Sequence, residues 1–180
     1  PWHYIPVWVL ITTPLQYLIL AGFGFLSAGW DLLANFGKNL WPYRRSILMI
    51  ASWGILPVAA VILLESVLYD GWRQLFFIYP AIILFAVLGL QTLFLWFANR
   101  LSYRVTAIVN ILVVAAVIIP PMWFMVNTHP HQNVYFNRVG GEDMARVKRH
   151  YELDYWGLSY KQGLEYILAN DPSDIIDVAV

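Results

Sequence analysis

Four long apolar runs constrain the fold of this chain more than any other feature. Each run contains at most one charged residue. A helix rises about 1.5 Å per residue and the hydrocarbon core of a bilayer is about 30 Å thick, so about 20 apolar residues are enough to cross it. We therefore predict an α-helical integral membrane protein with four transmembrane helices, over Ile5–Trp30, Ile47–Leu68, Leu75–Ala98 and Val105–Val126.

The composition agrees with this class and excludes others. Hydrophobic residues make up 60% of the chain and charged residues 12%, whereas an ordinary soluble domain has about 25% charged residues. The net charge of zero argues against a nucleic-acid partner, and the absence of cysteine excludes disulfides and thiolate chemistry. The chain opens at Pro1 without a visible targeting segment and closes on what reads as part of a strand. We therefore expect a fragment of a longer protein.

Basic residues orient the four spans, because short cytoplasmic loops carry the excess of Lys and Arg. The connections over 31–46 and 99–104 hold five basic residues between them, whereas the connection over 69–74 holds only Arg73. The two basic connections also fall on the same side of a four-helix alternation. We predict a protein of the cytoplasmic (inner) membrane whose N-terminus, 69–74 connection and residues after Asn127 are extracytoplasmic.

Prolines and small residues add detail to the runs. Pro14 is expected to kink the first helix, and Pro120-Pro121 to break the fourth near its end. Gly24 and Ala28 lie four residues apart, so one face of the first helix is small enough for another helix to approach closely.

After the transmembrane region, 1–126, the chain changes character, and residues 127–180 resemble a soluble segment. We predict two helices and two strands in alternation. They are a short helix after Gly141, a strand over Tyr151–Tyr155, a helix opened by the capping box Ser159–Gln162 and a strand over Ile175–Val180. This is the start of a small extracytoplasmic α/β domain, expected to be incomplete because so few elements bury too little surface.

The connection between the second and third runs, ESVLYDGWRQ over 65–74, is the best candidate for a functional site. Asp70-Gly71 is a turn signal, and a turn there folds the two spans into a hairpin. The side chains brought to one membrane face are those of Glu65, Tyr69, Asp70, Trp72 and Arg73. Charged groups at such a place must be paired, hydrated or in use.

Arg73 is the first candidate in this group. A guanidinium at the outer interface can hold a phosphate through two parallel hydrogen bonds, and Tyr69 and Trp72 could stack on a sugar or an isoprenoid chain. The alternative is an Arg73–Asp70 or Arg73–Glu65 pair that only closes the turn.

Histidines supply weaker candidates. His3 and Tyr4 precede the first run on the same predicted face, where they could assist with a phosphate or belong to an aromatic belt. His129-Pro130-His131 offers two potential metal ligands, but a metal needs three or four, and no other lies at a helical or hairpin spacing. We predict no metal and no other cofactor.

Segments across nearly the whole chain carry a resemblance to a known family. They are Pro1–Trp8, Ile11–Pro14, Tyr69–Pro80, His129–Asn137 and Tyr151–Tyr160, which read PWHYIPVW, ITTP, YDGWRQLFFIYP, HPHQNVYFN and YELDYWGLSY. In order and spacing they are similar to the C-terminal half of polytopic GT-C type membrane glycosyltransferases, which are related to dolichyl-phosphate-mannose–protein mannosyltransferases.

The resemblance implies a transferase that moves a sugar from a polyprenyl-phosphate carrier to an acceptor on the outer face of the membrane. It implies that basic residues bind the lipid phosphate, which suits Arg73, with His3 and Tyr4 as weaker helpers. The family activates the acceptor with an acidic residue in a first outer loop that this chain does not contain, so no catalytic residue is assigned.

Two other functions remain open. One is a non-catalytic membrane subunit or scaffold of a larger membrane complex, with other membrane proteins as partners. The other is a transporter, which fits least well because no polar stripe runs through the spans.

Overall fold

The structure, a computed structural model, describes residues 2–35, 41–69, 71–141, 143–151, 153–154 and 157–171. Its helices are α1 Tyr4–Thr12, α2 Leu15–Ala34, α3 Trp41–Leu63, α4 Tyr79–Ala98, α5 Tyr103–Asn127, α6 Met144–Val147 and α7 Tyr160–Asn170, and a 3₁₀ helix over Arg73–Ile78 leads directly into α4. Four segments are long and apolar enough to cross a membrane: α2, α3, the 3₁₀ helix with α4, and α5. This confirms the prediction of four apolar helices of transmembrane length.

Pro14 divides the predicted first helix into two. Thr13 is extended, with φ −100° and ψ 138°, because the residue before a proline is disfavoured in the helical region. α1 and α2 are therefore separate helices. Ile5 of α1 lies in one buried cluster with Trp72 of the connection between α3 and α4. The first span is therefore α2, and the prediction of Ile5–Trp30 as one span is wrong at its start.

The closest contact between the spans joins α2 to α4 at two glycines. A Cβ atom built on Gly24 would lie 1.9 Å from the carbonyl oxygen of Phe85, and one built on Gly89 would lie 2.1 Å from that of Leu20. The two backbones touch directly, which requires glycine at both positions. Ala28, one turn further along α2, is buried as well. The predicted small-residue face is confirmed, and α4 covers it.

Pro120 and Pro121 lie inside α5 without ending it, so the predicted break is wrong. A proline lacks the N–H group and leaves the carbonyl four residues earlier without its helical partner. For Pro121 that carbonyl belongs to Val117, and Nε2 of Gln16 in α2 donates a hydrogen bond to it at 3.3 Å. A neighbouring helix supplies the missing donor, and α5 continues to Asn127.

α4 is the central helix, in contact with α2, α3 and α5. α3 begins at Trp41 and ends at Leu63, whereas the predicted span ran from Ile47 to Leu68. Ile47 itself is buried beside Ala28 of α2. α5 has no buried residue and lies at the edge of the bundle.

The segment after α5 forms no strand in the part that the structure describes, so the predicted α/β domain is not confirmed. The two predicted helices are present as α6 and α7. Tyr151 and Leu153, expected in a strand, pack against the buried cluster around Phe136. Their alternation reflects packing beside α1, without a partner strand. The expected strand over Ile175–Val180 lies outside the described residues.

Candidate functional site

Glu65 ends α3 in a backbone conformation that is unusual for glutamate. Its φ is +48°, in the left-handed region that glycine usually occupies at a helix end. Ser66 N donates to Val61 O at 3.1 Å, and Glu65 N donates to Ile62 O at 3.3 Å. This Schellman pair turns the chain away from the helix axis. The Glu65 side chain is exposed, and residues held in such conformations cluster at functional sites.

Trp72 is buried and fixes this corner to α1. Its side chain is 5% exposed, and its ring meets that of Phe76 edge-on, with centroids 4.9 Å apart. Its indole Nε1 donates to Thr12 Oγ1 at 2.9 Å, and that hydroxyl donates to Trp8 O at 2.7 Å. Because the ring faces protein, the structure gives no support to its stacking on a sugar or isoprenoid chain. Trp72 instead positions its neighbour Arg73.

Arg73 begins the 3₁₀ helix and is half-buried. Its Cζ atom lies 5.6 Å from the centroid of the Tyr69 ring, which is a cation–π distance. Tyr69 is exposed, whereas Nη1 of Arg73 is buried, so the pair places a partly buried positive group beneath an aromatic ring at the surface of the corner. Gly71, between them, has φ +71°, as the turn signal predicted. Asp70 lies outside the described residues.

The other residues that the sequence predicts to contact a ligand differ in how deeply they are buried. Tyr4 packs against the buried cluster that contains Trp72. His3 is exposed, and its ring meets the preceding tryptophan edge-on at 5.4 Å. Glu65 forms no ion pair with Arg73 among the described residues, so that form of the turn-closing alternative is not seen.

Asn137 joins the C-terminal segment to α1, although nothing in its local sequence marks it for this role. Its side chain is buried, and Nδ2 donates to the carbonyl oxygens of Leu10 and Thr13 at 2.5 and 2.7 Å. Its backbone N–H donates to Ile11 O at 2.8 Å. A helix end leaves carbonyls without partners, and Pro14 ends the helical run here. Asn137 therefore satisfies the end of α1.

Tyr135 adds a contact between the same segment and the spans. Its ring meets that of Phe124 in α5 edge-on, with centroids 4.8 Å apart. Burial, followed by the nearby phenol of Tyr17, raises the pKa of Tyr135. Phe136, whose ring lies 6.0 Å from that of Trp8, packs the segment against α1. Tyr135 packs the same segment against α5.

The two histidines after α5 are engaged by glutamines. Nδ1 of His129 lies 2.7 Å from Nε2 of Gln132, and Nε2 of His131 lies 2.8 Å from Oε1 of Gln162. The second contact holds α7 near the end of α5. Within the residues that the structure describes, no group of three or more His, Cys, Asp or Glu side chains could hold a metal ion.

α7 begins with a different cap from the predicted one. Ser159 makes no side-chain capping bond to its helix; its N–H and hydroxyl donate to Oδ2 of Asp154 at 2.7 and 2.6 Å, and Leu158 N donates to Oδ1 at 3.0 Å. The hydrogen bond from the Ser159 side chain is the main reason that the pKa of Asp154 lies below its ordinary value. Gln162, expected to complete the capping box, contacts His131 instead.

The segments that carry the family resemblance meet around α1. Trp8 and Thr12 belong to two of them, and Trp72, Asn137 and Tyr151 to the other three. Thr12 accepts from Trp72, Asn137 donates to carbonyls of α1, and the Tyr151 ring lies 5.4 Å from that of Trp8. Residues distant in sequence thus form one structural unit at one end of the bundle.

Comparison of the chain with protein-family models, with curated proteins and with solved structures finds no match. The resemblance to GT-C type glycosyltransferases therefore rests on the sequence segments alone.

Proposed function

We propose that this chain is part of a membrane glycosyltransferase that moves a sugar from a polyprenyl-phosphate carrier to an acceptor on the extracytoplasmic face of the membrane. The observation that carries the proposal is the convergence of the resemblance segments on α1, with the Arg73–Tyr69 pair at its edge. Four apolar helices give such a protein access to a lipid-linked donor.

Arg73 is the residue that contacts the carrier phosphate in this proposal. A guanidinium stays charged at physiological pH and matches two phosphate oxygens at once. The buried Trp72, held by Thr12, fixes the backbone from which the Arg73 side chain extends.

The chemistry assigned to Arg73 is electrostatic. During transfer the acceptor oxygen bonds to the anomeric carbon of the sugar while the bond from that carbon to the carrier phosphate breaks. Negative charge grows on the departing phosphate, and a fixed cation stabilises that charge more in the transition state than in the bound donor. The acceptor's proton goes to a carboxylate base, which the proposal assigns to no residue of this chain.

A non-catalytic subunit of a membrane complex is the alternative function. The small-residue face of α2 would suit contact with a partner, but α4 of the same chain covers it. That face is therefore not available for docking, and the glycosyltransferase is the better-supported function.

Replacement of Arg73 tests the proposal, in membranes from cells that make the protein at its native length. Arg73→Ala should lower sugar transfer from the lipid carrier on the order of 10²- to 10³-fold, the loss typical of removing one transition-state charge stabiliser. Arg73→Lys should lose less, because it keeps the charge and loses the paired hydrogen bonds. Arg146→Gln, at an exposed position of α6, is the matched control and should retain full transfer.

Two results would contradict the proposal. Unchanged transfer by the Arg73→Ala protein, at a normal level in the membrane, removes Arg73 from the mechanism. Purification in a mild detergent with stoichiometric protein partners and no bound prenyl phosphate favours the scaffold.

A further inference from the structure

Trp8 of α1 belongs to both of the buried clusters that flank this helix. One cluster is built around Trp72 and the other around Phe136, and the Trp8 side chain packs against each of them. Among the residues that the structure describes, it is the only one that the two clusters share. The corner that carries Arg73 and the segment after α5 therefore meet through one side chain.

α1 holds the corner at two consecutive residues. A Cβ atom built on Gly71 would lie 3.7 Å from Cε3 and Cζ3 of the Trp8 ring, so that ring lies directly over the glycine. One turn further along α1, the Thr12 hydroxyl accepts the hydrogen bond from Nε1 of Trp72 at 2.9 Å. Gly71 and Trp72 directly precede Arg73 in the chain. The position of α1 therefore sets the position of the main chain that leads to Arg73.

The segment after α5 packs on the same tryptophan. The Tyr151 ring meets the Trp8 ring edge-on, with centroids 5.4 Å apart, and the Phe136 ring lies 6.0 Å from it. Aromatic pairs favour such arrangements at centroid distances of about 4.5–7 Å. Asn137, the next residue after Phe136, donates to carbonyl oxygens of α1. The segment is thus bound to α1 through both side chains and main chain.

α1 depends on this packing for its position. It has nine residues, and isolated helices shorter than about 12–15 residues are marginal in water. The extended Thr13 separates it from α2, so the transmembrane helix does not hold α1 in line. Contacts with the two clusters therefore determine where α1 lies, and a change in one cluster should move the groups attached to the other.

We propose that the segment after α5 controls the position of Arg73 through Trp8 of α1. While Tyr151 packs on Trp8, α1 holds Gly71 and Trp72, and Arg73 lies where the carrier phosphate binds. Loss of that packing frees α1 and displaces the guanidinium, so Tyr151 and Trp8 are positioning residues. The effect on sugar transfer rests on the proposed function, whereas the coupling between Tyr151 and the corner does not.

A spin label beside Arg73 measures this coupling without an activity assay. The chain has no cysteine, so Gln74→Cys, at an exposed position, carries one label in the native-length protein once any cysteine outside this chain is replaced by serine. Tyr151→Ala should increase the mobility of the label in its electron paramagnetic resonance spectrum. Tyr151→Leu removes the ring with a smaller loss of packing and gives the same test if Tyr151→Ala does not reach the membrane.

Two variants serve as controls for the label. Tyr151→Phe keeps the ring that contacts Trp8 and should leave the spectrum unchanged. Tyr166→Ala is the matched control, because Tyr166 lies in the same segment with a side chain that is 70% exposed. It removes the same group as Tyr151→Ala and should not change the mobility of the label.

Sugar transfer from the lipid carrier, measured per amount of folded protein, gives the second readout. Tyr151→Ala should lower kcat about tenfold to a hundredfold, since a misplacement of about 1 Å can cost about a hundredfold. The KM for the donor should change less, because the Arg73 charge acts most strongly in the transition state. In the Arg73→Ala protein, Tyr151→Ala should lower kcat no further, because its effect passes through Arg73.

The two readouts separate this inference from the proposed function. An unchanged label spectrum in the Tyr151→Ala protein overturns the inference, as does an equal change in the Tyr166→Ala protein. A mobile label together with normal transfer by the Arg73→Ala protein supports the coupling and contradicts the proposed function. If Arg73→Ala lowers transfer, an unchanged kcat in the Tyr151→Ala protein, or a further loss in the double variant, overturns control through Arg73.

Discussion

At the scale of single residues, Asn137 holds the C-terminal segment to α1. An amide side chain offers two donors and an acceptor, and here Nδ2 donates to two carbonyls of α1 while Oδ1 accepts N–H groups of the turn that follows. No other side chain supplies this combination in the same volume. Substitution here therefore affects both the end of α1 and the turn after Asn137.

We expect Asn137→Leu to destabilise the folded protein by about 2 kcal/mol or more, since buried polar groups left without partners cost about 1–3 kcal/mol each. Asn137→Asp should be no better, because a carboxylate cannot donate to a carbonyl. Thermal unfolding in detergent measures the stability, and limited proteolysis reports whether the segment after Asn127 loosens. Asn133→Leu, at an exposed position of the same segment, is the control; an equal effect there would contradict the role of Asn137.

The sequence predicts which residue types lie at the corner, but it does not predict the direction of each side chain. Arg73 and Trp72 stand out because a cation and an aromatic residue flank a turn between two spans. Trp72 is buried against α1, where it lies beside Ile5 and donates to Thr12, 60 residues away in the chain. The carbonyl partners of Asn137 lie 124 and 127 residues from it. No local pattern encodes contacts of that separation.

At the scale of elements, the α2–α4 contact depends on the absence of side chains. Gly24→Ala should destabilise the bundle by about 1–3 kcal/mol, the usual cost of overpacking, because the added methyl group would overlap the Phe85 carbonyl. Gly22→Ala is a matched control on the same helix, where nothing lies within 4 Å of the added atom. Thermal unfolding of both proteins in one detergent makes the comparison. Equal unfolding temperatures would show that α2 and α4 do not touch at Gly24.

The proline in α5 gives a second prediction at this scale. Gln16→Leu removes the donor to Val117 O and should cost about 0.6–1.7 kcal/mol, the range for hydrogen bonds between transmembrane helices. Pro121→Ala restores the helix's own N–H donor to that carbonyl, so Gln16→Leu should cost much less in the Pro121→Ala protein. A double-mutant cycle on unfolding free energies measures this coupling. Additive costs would mean that Gln16 does not compensate for the proline.

Helix existence was predictable, and helix ends were less so. A chain in lipid must satisfy its backbone within each span, so runs of sufficient length specify helices by themselves. The ends depend on details that composition does not reveal. Glu65 closes α3 in a left-handed conformation that glycine would have signalled, and Gln16 donates to the carbonyl that Pro121 leaves without its helical partner.

At the scale of the whole molecule, α1 lies between two layers, with the corner around Trp72 on one side and the cluster around Phe136 on the other. The sequence predicts a membrane part followed by a soluble segment. α1, assigned to the membrane part from its hydrophobicity, supplies apolar surface on which the described part of the C-terminal segment packs. Tyr151 and Leu153 pack on that surface without a partner strand in the described part of the chain.

The attachment of α7 should be sensitive to acid. The folded pKa of Asp154 is lowered, so its ionised form stabilises α7 above the ordinary aspartate pKa of about 3.9, and this stabilisation is lost as the pH falls through the lower, folded value. Asp154→Asn should weaken α7 at neutral pH, seen as faster amide hydrogen exchange over Tyr160–Asn170. Glu165→Gln should change little, because its pair with Lys161 is exposed. Equal protection in both variants would contradict the cap.

The hydrogen bonds between Asn137 and α1 have a consequence for how the sequence can evolve. Its hydrogen bonds run to main-chain oxygens of Leu10, Ile11 and Thr13, and every amino acid carries the same oxygen. As far as these bonds are concerned, α1 is free to exchange its side chains and adapt to another lipid, while position 137 stays fixed. We therefore expect related sequences to vary most at exposed positions such as Leu10 and least at Asn137, whose hydrogen bonds do not depend on the side chains of α1.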